Sequence, residues 1–213
     1  MQSKAIGVIL LVYVIGLAAM LFMYVEKPAQ PDRLEELTRT YKIHLDMMEA
    51  EIAALQAPDR ARVTRYIQSV NPHVSLATAE LITQGIFKAA EEYSLPYKVL
   101  LGLIEVESTF RFNAVSPAQA VGLTQVHVPT WLETENPRYN LIHKGMLQSQ
   151  QCLYDPITNI MAGGYILNWY YRAAVRTGHN DPMRRALTRY YGGNVNGHYD
   201  RVTRAIGRFI INS

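Results

Sequence analysis

The first hydrophobic segment of the chain contains no charged residue from position 5 to position 25. At about 1.5 Å of rise per residue, a helix of this length spans roughly the 30 Å hydrocarbon core of a bilayer. Bulky side chains fill residues 22–25, where a signal peptide would carry the small residues of a cleavage site. The pattern therefore predicts an uncleaved transmembrane anchor over residues 1–26, with the amino terminus inside the cytoplasm and the remainder outside it.

A second apolar pattern follows a short polar stretch that contains two prolines. Its members recur at spacings of three and four, which places them on one side of an amphipathic helix. Pro58 lacks an amide hydrogen and is predicted to end this helix, so residues 27–58 are interpreted as a linker and a stalk helix. A stalk packed on the next domain is favoured over a short coiled coil, since the heptads are few. The apolar positions are Leu34, Leu37, Tyr41, Leu45, Met48, Ile52 and Leu55.

The remaining residues, 59–213, are predicted to form one mainly α domain. Apolar residues keep a helical spacing, and no alternating apolar and polar run is long enough to indicate a sheet. Asp155 and Asp181 are each followed by proline, which is typical of a capped helix start. Residues 109–151 are richer in Pro, Asn, Ser and Gly, so we expect loops there, and loops often build binding clefts.

Composition narrows the class of protein. Of the 213 residues, 49% are hydrophobic, which is enough for a buried core, and a formal net charge of +3 is too small to indicate a nucleic-acid binder. The single cysteine, Cys152, excludes an intrachain disulfide and a multi-cysteine zinc site. No two histidines stand at a helical ligand spacing with a carboxylate partner, so we predict no metal, no cofactor, and solvated or capping histidines. The histidines are His44, His73, His127, His143, His179 and His198.

One acidic residue falls within an apolar helix face. The run YKVLLGLIEVES places Glu107 among apolar side chains, and a carboxyl group there loses hydration of its charged form. Its pKa is therefore expected to rise, so that it can donate a proton near neutral pH. Glu105 faces the opposite side, near Lys98, and is predicted to be a solvated charge. The alternative is that Glu107 only reaches solvent at the helix end. The residues that share its face are Leu100, Leu103 and Ile104.

The segment SPAQAVGLTQV supplies small and polar residues after this helix. Gly122 permits a tight turn and the close approach of a ligand. The hydroxyl group of Ser116 and the amide group of Gln125 are suited to hydrogen-bond a sugar.

A resemblance to a known family is carried by the run IEVESTFRFNAVSPAQAVGLTQVHVPTW. It resembles the core motif of the lytic transglycosylase family of the lysozyme-like superfamily, in which a Glu-Ser pair precedes Ser-x-x-Gly-Ala-x-Gly-Leu-Met-Gln by about nine residues. Two later blocks agree in order: DPITNIMAGGYIL is similar to the family's Asn-Ile-x-x-Gly-x-x-Tyr-Leu helix, and LTRYYGGN to its Ala-Tyr-Asn-x-Gly block. The resemblance covers roughly residues 81–206 and implies a lysozyme-like domain of the goose-type lysozyme and transglycosylase class.

The resemblance also implies a role for each matching residue. Glu107 would be the catalytic acid and base, and the hydroxyl group of Tyr190 would orient Glu107 or a substrate acetamido group. Asn159 and Gly163 match a helix that is more structural than catalytic. The residues implied to support the site or line the sugar subsites are Ser108, Ser116 and Gln125.

Three positions depart from the family pattern. Gln119 replaces a glycine, Thr124 a methionine and Tyr191 an asparagine. A residue with a Cβ adopts left-handed torsions at a cost, so Gln119 is expected to alter its turn. Tyr191 removes an amide that would tie down the loop after Tyr190. The sequence therefore indicates the reaction class more firmly than the efficiency or the subsite preference.

The reaction implied by the resemblance uses a single glutamic acid. It protonates the glycosidic oxygen and then deprotonates the muramic acid 6-hydroxyl, which closes on the anomeric carbon to give a 1,6-anhydro sugar. A lysozyme-type hydrolase of peptidoglycan and a catalytically weak glycan-binding or scaffold protein are the alternatives.

The expected partners are a peptidoglycan glycan strand and the membrane, and no nucleic acid. The expected location is the bacterial inner membrane, single-pass with the domain in the periplasm, or a virion if a phage encodes the chain. Wall turnover, secretion or conjugation, and phage entry all remain open as settings. Residues 34–55 are a candidate contact for partners in an envelope complex.

Overall fold

The computed structural model describes residues 31–192 and 197–212, and these residues are mainly α, as predicted. Two strands of two residues each, β1 and β2, pair antiparallel in the loop region. The helices are α1 (Pro31–Val70), α2 (Leu76–Glu92), α3 (Tyr97–Ser108), α4 (Val128–Trp131), α5 (Pro156–Arg176), α6 (Pro182–Tyr190) and α7 (His198–Asn212). The strands are β1 (Ala120–Val121) and β2 (Val126–His127), and a 3-10 helix covers Gln150–Tyr154.

The chain divides into two compact units, one that ends at Asp59 and one that begins at Arg60. The prediction that Pro58 ends the stalk helix is wrong, because Pro58 lies inside α1. Proline removes one amide donor from a helix, but the helix continues here because its later turns bury Val63 and Ile67 in the core of the second unit.

The predicted anchor, residues 1–26, lies outside the described residues. Within the part of the chain that is described, no helix combines the length and the apolar character needed to cross a bilayer. In the predicted stalk, Tyr41 and Leu45 are exposed, so the interpretation of this stripe as a contact surface stays a prediction.

The core of the second unit surrounds α3. Leu100, Leu103 and Ile104 are fully buried, as their spacing predicts. Helix α3 packs against α7 and α2, while α5 packs against α2 and α6. A second apolar cluster, which includes Val121 and Trp131, fixes the loop region on α5. The loop region therefore packs against α5 through buried apolar side chains.

The predicted helix starts are confirmed by their capping bonds. The Asp155 side chain accepts from the Thr158 amide at 2.8 Å, and the Asp181 side chain accepts from the Arg184 amide at 3.0 Å. Ser75 caps α2 in the same way. Each bond satisfies an amide that has no partner within the helix.

The end of α3 is set by two residues with left-handed backbone torsions, Thr109 at φ 52° and Phe110 at φ 59°. Such torsions cost a residue with a Cβ about 1–2 kcal/mol. They are offset by contacts, because Phe110 is fully buried and the Thr109 carbonyl accepts from the Asn71 side chain at 2.8 Å. The helix therefore stops directly after Ser108, with Glu107 in its last turn.

Candidate active site

A cleft of about 570 Å³ lies at the end of α3. Its walls bring together residues that are distant in sequence: Glu107 from α3, Ser116 and Gln125 from the loop region, and Tyr190 from the end of α6. Among the described residues that line the cleft, Glu107 is the one carboxylate.

A second cavity of about 850 Å³ adjoins the cleft and shares Thr130, Tyr170 and Arg189 with it. It does not contact Glu107, but its shared walls extend the cleft into a longer groove. Tyr139 and Trp169 line this extension and offer aromatic faces. The groove therefore has room for more than one sugar ring.

Glu107 is sheltered from water, with its side chain 11% exposed. Burial raises its pKa from 4.5 to about 7, and the nearby charge of Arg201 opposes the rise. Its Oε1 atom is buried and has no hydrogen-bond partner. The pKa rise expected from the apolar helix face is thus present, and a carboxyl group of this kind can exchange a proton near neutral pH.

Glu105 is not the solvated charge that its position suggested. It is 8% exposed and accepts hydrogen bonds from the Tyr66 hydroxyl at 2.8 Å and from two nitrogens of Arg208. The prediction failed because α7 covers this side of α3, so both sides of the helix are buried.

The loop after α3 folds on itself around Ser116. The Ser116 side chain accepts from the Ala120 amide at 3.0 Å, and the Gln119 amide donates to the Ser116 carbonyl at 2.9 Å. Gln125 donates its amide hydrogens to the carbonyls of Ala114 at 3.2 Å and Gly122 at 3.0 Å. Both predicted subsite residues are therefore held in place at the cleft wall.

Ser108 is the predicted site residue that the cleft does not include. Its side chain is buried and donates to the Ile104 carbonyl at 3.1 Å, one turn back in α3. Tyr190 does line the cleft, but its hydroxyl donates to the Thr124 carbonyl at 2.7 Å, and burial raises its pKa.

One buried histidine was missed from the sequence. His198 is 0% exposed, and its Nε2 lies 3.4 Å from Glu107 Oε1, so the prediction of a solvated or capping role is wrong. A signal was present: His198, Val202, Ala205 and Phe209 recur at spacings of four and three, and all four are buried on one side of α7.

Comparison with known proteins identifies the family. Residues 84–196, more than half of the chain, match the sequence model described as Transglycosylase SLT domain. The chain belongs to the transglycosylase SLT domain family.

Relatives with the same printed name match part of this SLT chain. It is 38% identical over 78 residues to "Membrane-bound lytic murein transglycosylase C" of Haemophilus influenzae (strain PittEE), covering 37% of this chain and 21% of that protein. The protein of the same name from Actinobacillus succinogenes is 30% identical over 131 residues, covering 61% of this chain and 35% of the relative. The chain therefore spans about a third or less of the length of these relatives, and the resemblance to lytic transglycosylases is confirmed.

Two departures from the SLT pattern have a structural explanation. Gln119 stands at φ 60°, a left-handed torsion that glycine adopts without steric cost, so the residue that replaces the family's glycine has a glycine-type torsion despite its Cβ. Thr124 is fully buried, and its hydroxyl donates to the Asn159 side chain at 2.8 Å. Asn159 also donates to the carbonyls of Val121 and Leu153, so it ties the SLT loop to α5.

Two glycines leave the space that the hydrogen-bonded side chains of Asn159 and Thr124 occupy. A Cβ at Gly122 would stand 2.0 Å from the Asn159 amide nitrogen, and a Cβ at Gly163 would stand 2.4 Å from the Thr124 hydroxyl.

Among the described residues, no group of three or more His, Cys, Asp or Glu side chains is placed to hold a metal ion.

Proposed function

We propose that this chain is a peptidoglycan lytic transglycosylase. It cleaves the β-1,4 bond between MurNAc and GlcNAc without consuming water and leaves a 1,6-anhydro end. The observation that carries the proposal is one sheltered carboxyl group, Glu107, with its pKa raised to about 7, at the wall of a groove with room for more than one sugar ring.

Glu107 performs two successive proton transfers in this proposal. At neutral pH a large fraction of its carboxyl group is protonated and donates to the glycosidic oxygen as the bond to the anomeric carbon breaks. The resulting carboxylate then removes the proton of the muramic acid 6-hydroxyl, whose oxygen bonds to the anomeric carbon. The proton returns to Glu107, so the group is regenerated at the end of the cycle.

The absence of a second carboxylate among the described lining residues supports this chemistry over hydrolysis. Glycosidases that use two carboxyl groups hold them about 5–10 Å apart across the scissile bond. The other described residues that line the cleft are neutral or basic, including Tyr190 and Arg189. The substrate's acetamido group would instead stabilise the cationic transition state, in a substrate-assisted reaction.

The walls of the groove suit a sugar polymer. The amide nitrogen of Gln125 is committed to two backbone carbonyls, which leaves its oxygen for a substrate hydroxyl or amide. Trp169 and Tyr170 line the extension of the groove and can stack on sugar rings. Ser116 lines the cleft as well, with a hydroxyl group that can both donate and accept.

A membrane anchor and a periplasmic location belong to the same proposal. The uncharged segment 5–25 has the length of a membrane span, and the relatives are named membrane-bound. Fractionation of cells that express the full chain should place it in the membrane, and a variant without residues 1–26 should move to the soluble fraction. Equal distribution of the two proteins would contradict the anchor.

The reaction is tested with purified peptidoglycan and two matched variants. Glu107→Gln should keep the fold and release no fragments, while Glu105→Gln, two residues away on the same helix, should still release them. Mass spectrometry should find wild-type fragments one water lighter than hydrolysis products. Fragments with the added water would indicate a lysozyme-type hydrolase, and normal release by Glu107→Gln would refute the assignment of Glu107.

A further inference from the structure

The region behind Glu107 contains two polar atoms that face each other without hydrogen bonds. Glu107 Oε1 and His198 Nε2 are both buried, neither has a hydrogen-bond partner, and they lie 3.4 Å apart. Buried polar atoms are rarely left in this way, because each gives up hydration without replacement. The pair therefore calls for a functional explanation.

Arg201 fixes which nitrogen of the histidine carries the proton. Its Nη2 lies 3.3 Å from His198 Nδ1, and a guanidinium group can only donate. His198 Nδ1 must then be the acceptor, so the hydrogen of the neutral ring is on Nε2, the atom that faces Glu107. Burial, with the charge of Arg201, lowers the pKa of His198 from 6.5 to about 4, so the ring is neutral at neutral pH.

The imidazole ring is also held in its plane. Tyr191 stacks on it, with ring centroids 4.8 Å apart and an interplanar angle of 20°. The guanidinium group of Arg201 lies over the Tyr191 ring at 5.1 Å. Tyr191 is the residue that replaces the asparagine of the family pattern, so this departure supplies a support for His198.

We infer that His198 is a positioning residue for Glu107, whose Nε2–H group hydrogen-bonds to the carboxylate that forms after the proton is donated. The inference rests on the proposed function. The present separation of 3.4 Å is longer than a usual hydrogen bond, whereas a bond to an ionised carboxylate is shorter and stronger than one to a neutral acid. His198 therefore stabilises the state of Glu107 that acts as the base.

Other groups around Glu107 do not offer this bond. Tyr190, from α6, directs its hydroxyl to the Thr124 carbonyl, and Tyr191 contacts the far side of the imidazole. Arg201 lowers the pKa of Glu107 through its charge, but its nitrogen is bonded to His198. The hydrogen bond of Arg201 therefore goes to His198, and only its charge acts on Glu107.

The test compares two variants of similar size by ¹³C NMR titration of the Glu107 carboxyl group, which Glu107→Gln identifies. His198→Leu removes the donor and should raise the Glu107 pKa by about one unit. His198→Gln can place an amide N–H at the same point and should restore a value near that of wild type. In turnover, His198→Leu should lower kcat about tenfold with little change in KM, and His198→Gln should recover most of it.

A purely structural role for His198 predicts something different. In His198→Leu, Glu107 would then keep its wild-type pKa, and the activity of each folded molecule would stay at the wild-type level. Either result would overturn the inference. The ¹⁵N signals of the wild-type ring give a second test that needs no variant, with a proton expected on Nε2 and a finding of it on Nδ1 overturning the inference. Both NMR readouts are independent of turnover, so a chain that cleaves no peptidoglycan would refute the proposed function while still testing the pair.

Discussion

Glu105 and Glu107 are two residues apart on α3, and the charge of an α7 arginine acts on the surroundings of each. Arg208 reaches Glu105 directly, and the Tyr66 hydroxyl completes the bonds of that carboxylate. Arg201 does not reach Glu107, because His198 stands between them. One carboxylate is therefore fully paired, and the other keeps a buried oxygen without a partner.

The difference separates a structural acid from a reactive one. The oxygens of Glu105 are committed to hydrogen bonds from a guanidinium group and a phenol. Glu107 is buried against a neutral ring at the wall of an open groove, and its raised pKa lets it take up and release a proton near neutral pH. Helix, residue type and depth of burial are nearly the same, so the partner on α7 makes the difference.

The largest expected effect is on turnover at the unpaired site. Glu107→Gln removes the proton donor and acceptor and should lower the rate of fragment release by about a thousandfold or more. Its thermal stability should not fall, because an unpaired buried carboxyl group is replaced by a neutral group of the same shape. Release rates and melting curves of the same preparation check both statements, and a loss of stability that matches the loss of rate would break the comparison.

The next effect is on the pH dependence of stability. Glu107 has a raised pKa, so the folded state holds its proton from pH 4.5 to about 7, and this group lowers stability as pH rises through that window. His198 has a lowered pKa, so the unfolded state binds a proton between about pH 4 and 6.5, and this group raises stability with pH. The two slopes oppose each other in the wild type.

Replacing one residue of the pair should leave the pH dependence of the free energy of unfolding that the other residue causes. Glu107→Gln should become more stable as pH rises from 4 to 6.5, by about 3 kcal/mol, because the His198 slope remains. His198→Leu should become less stable as pH rises from 4.5 through 7 and beyond, by about 3 kcal/mol or more, because loss of the histidine also raises the Glu107 pKa. Urea unfolding across this pH range measures both. Parallel pH profiles in the two variants would contradict the opposed titrations.

A smaller effect is expected at the paired site. Glu105→Gln weakens the charge-assisted bonds to Arg208 and should lower the free energy of unfolding by about 2 kcal/mol, while the activity of the folded fraction stays near wild type. Arg208 is 53% exposed and can turn to water, which limits the cost. Denaturant melts with activity normalised to the folded fraction check this, and a large specific loss of turnover would place Glu105 in the reaction.

The smallest effect is expected at Tyr191, which supports the histidine from the solvent side. Tyr191→Asn restores the residue of the family pattern but removes the stack on His198, and should lower the free energy of unfolding by about 1 kcal/mol. Tyr191→Phe keeps the ring and serves as the control. If both variants unfold alike, the stack contributes nothing to holding the imidazole.

The helix caps and the buried positions of α3 were predictable from the sequence, because contacts between residues a few positions apart determine them. The caps at Asp155 and Asp181 depend on an amide three residues away, and the burial of Leu100 and Ile104 follows from helical spacing. The position of Glu107 among these residues led to its raised pKa for the same reason. Such statements need no knowledge of the distant chain.

The partners of the two glutamates could not be read from their own helix. Arg208 is 103 positions from Glu105, and the spacing on α3 does not tell that α7 covers its second side. His198 was dismissed because it was sought as a metal ligand, although the pattern of α7 placed it on the buried side. Gln119 shows another limit, since its left-handed turn is imposed by the surrounding loop and not by its residue type.

A ¹³C titration of the wild-type carboxyl groups measures whether Glu107 exchanges its proton near neutral pH. We expect the signal that is lost in Glu107→Gln to titrate with a pKa of about 7. A midpoint near the ordinary value of 4.5 would rule out Glu107 as the acid, because the group would then be ionised at neutral pH.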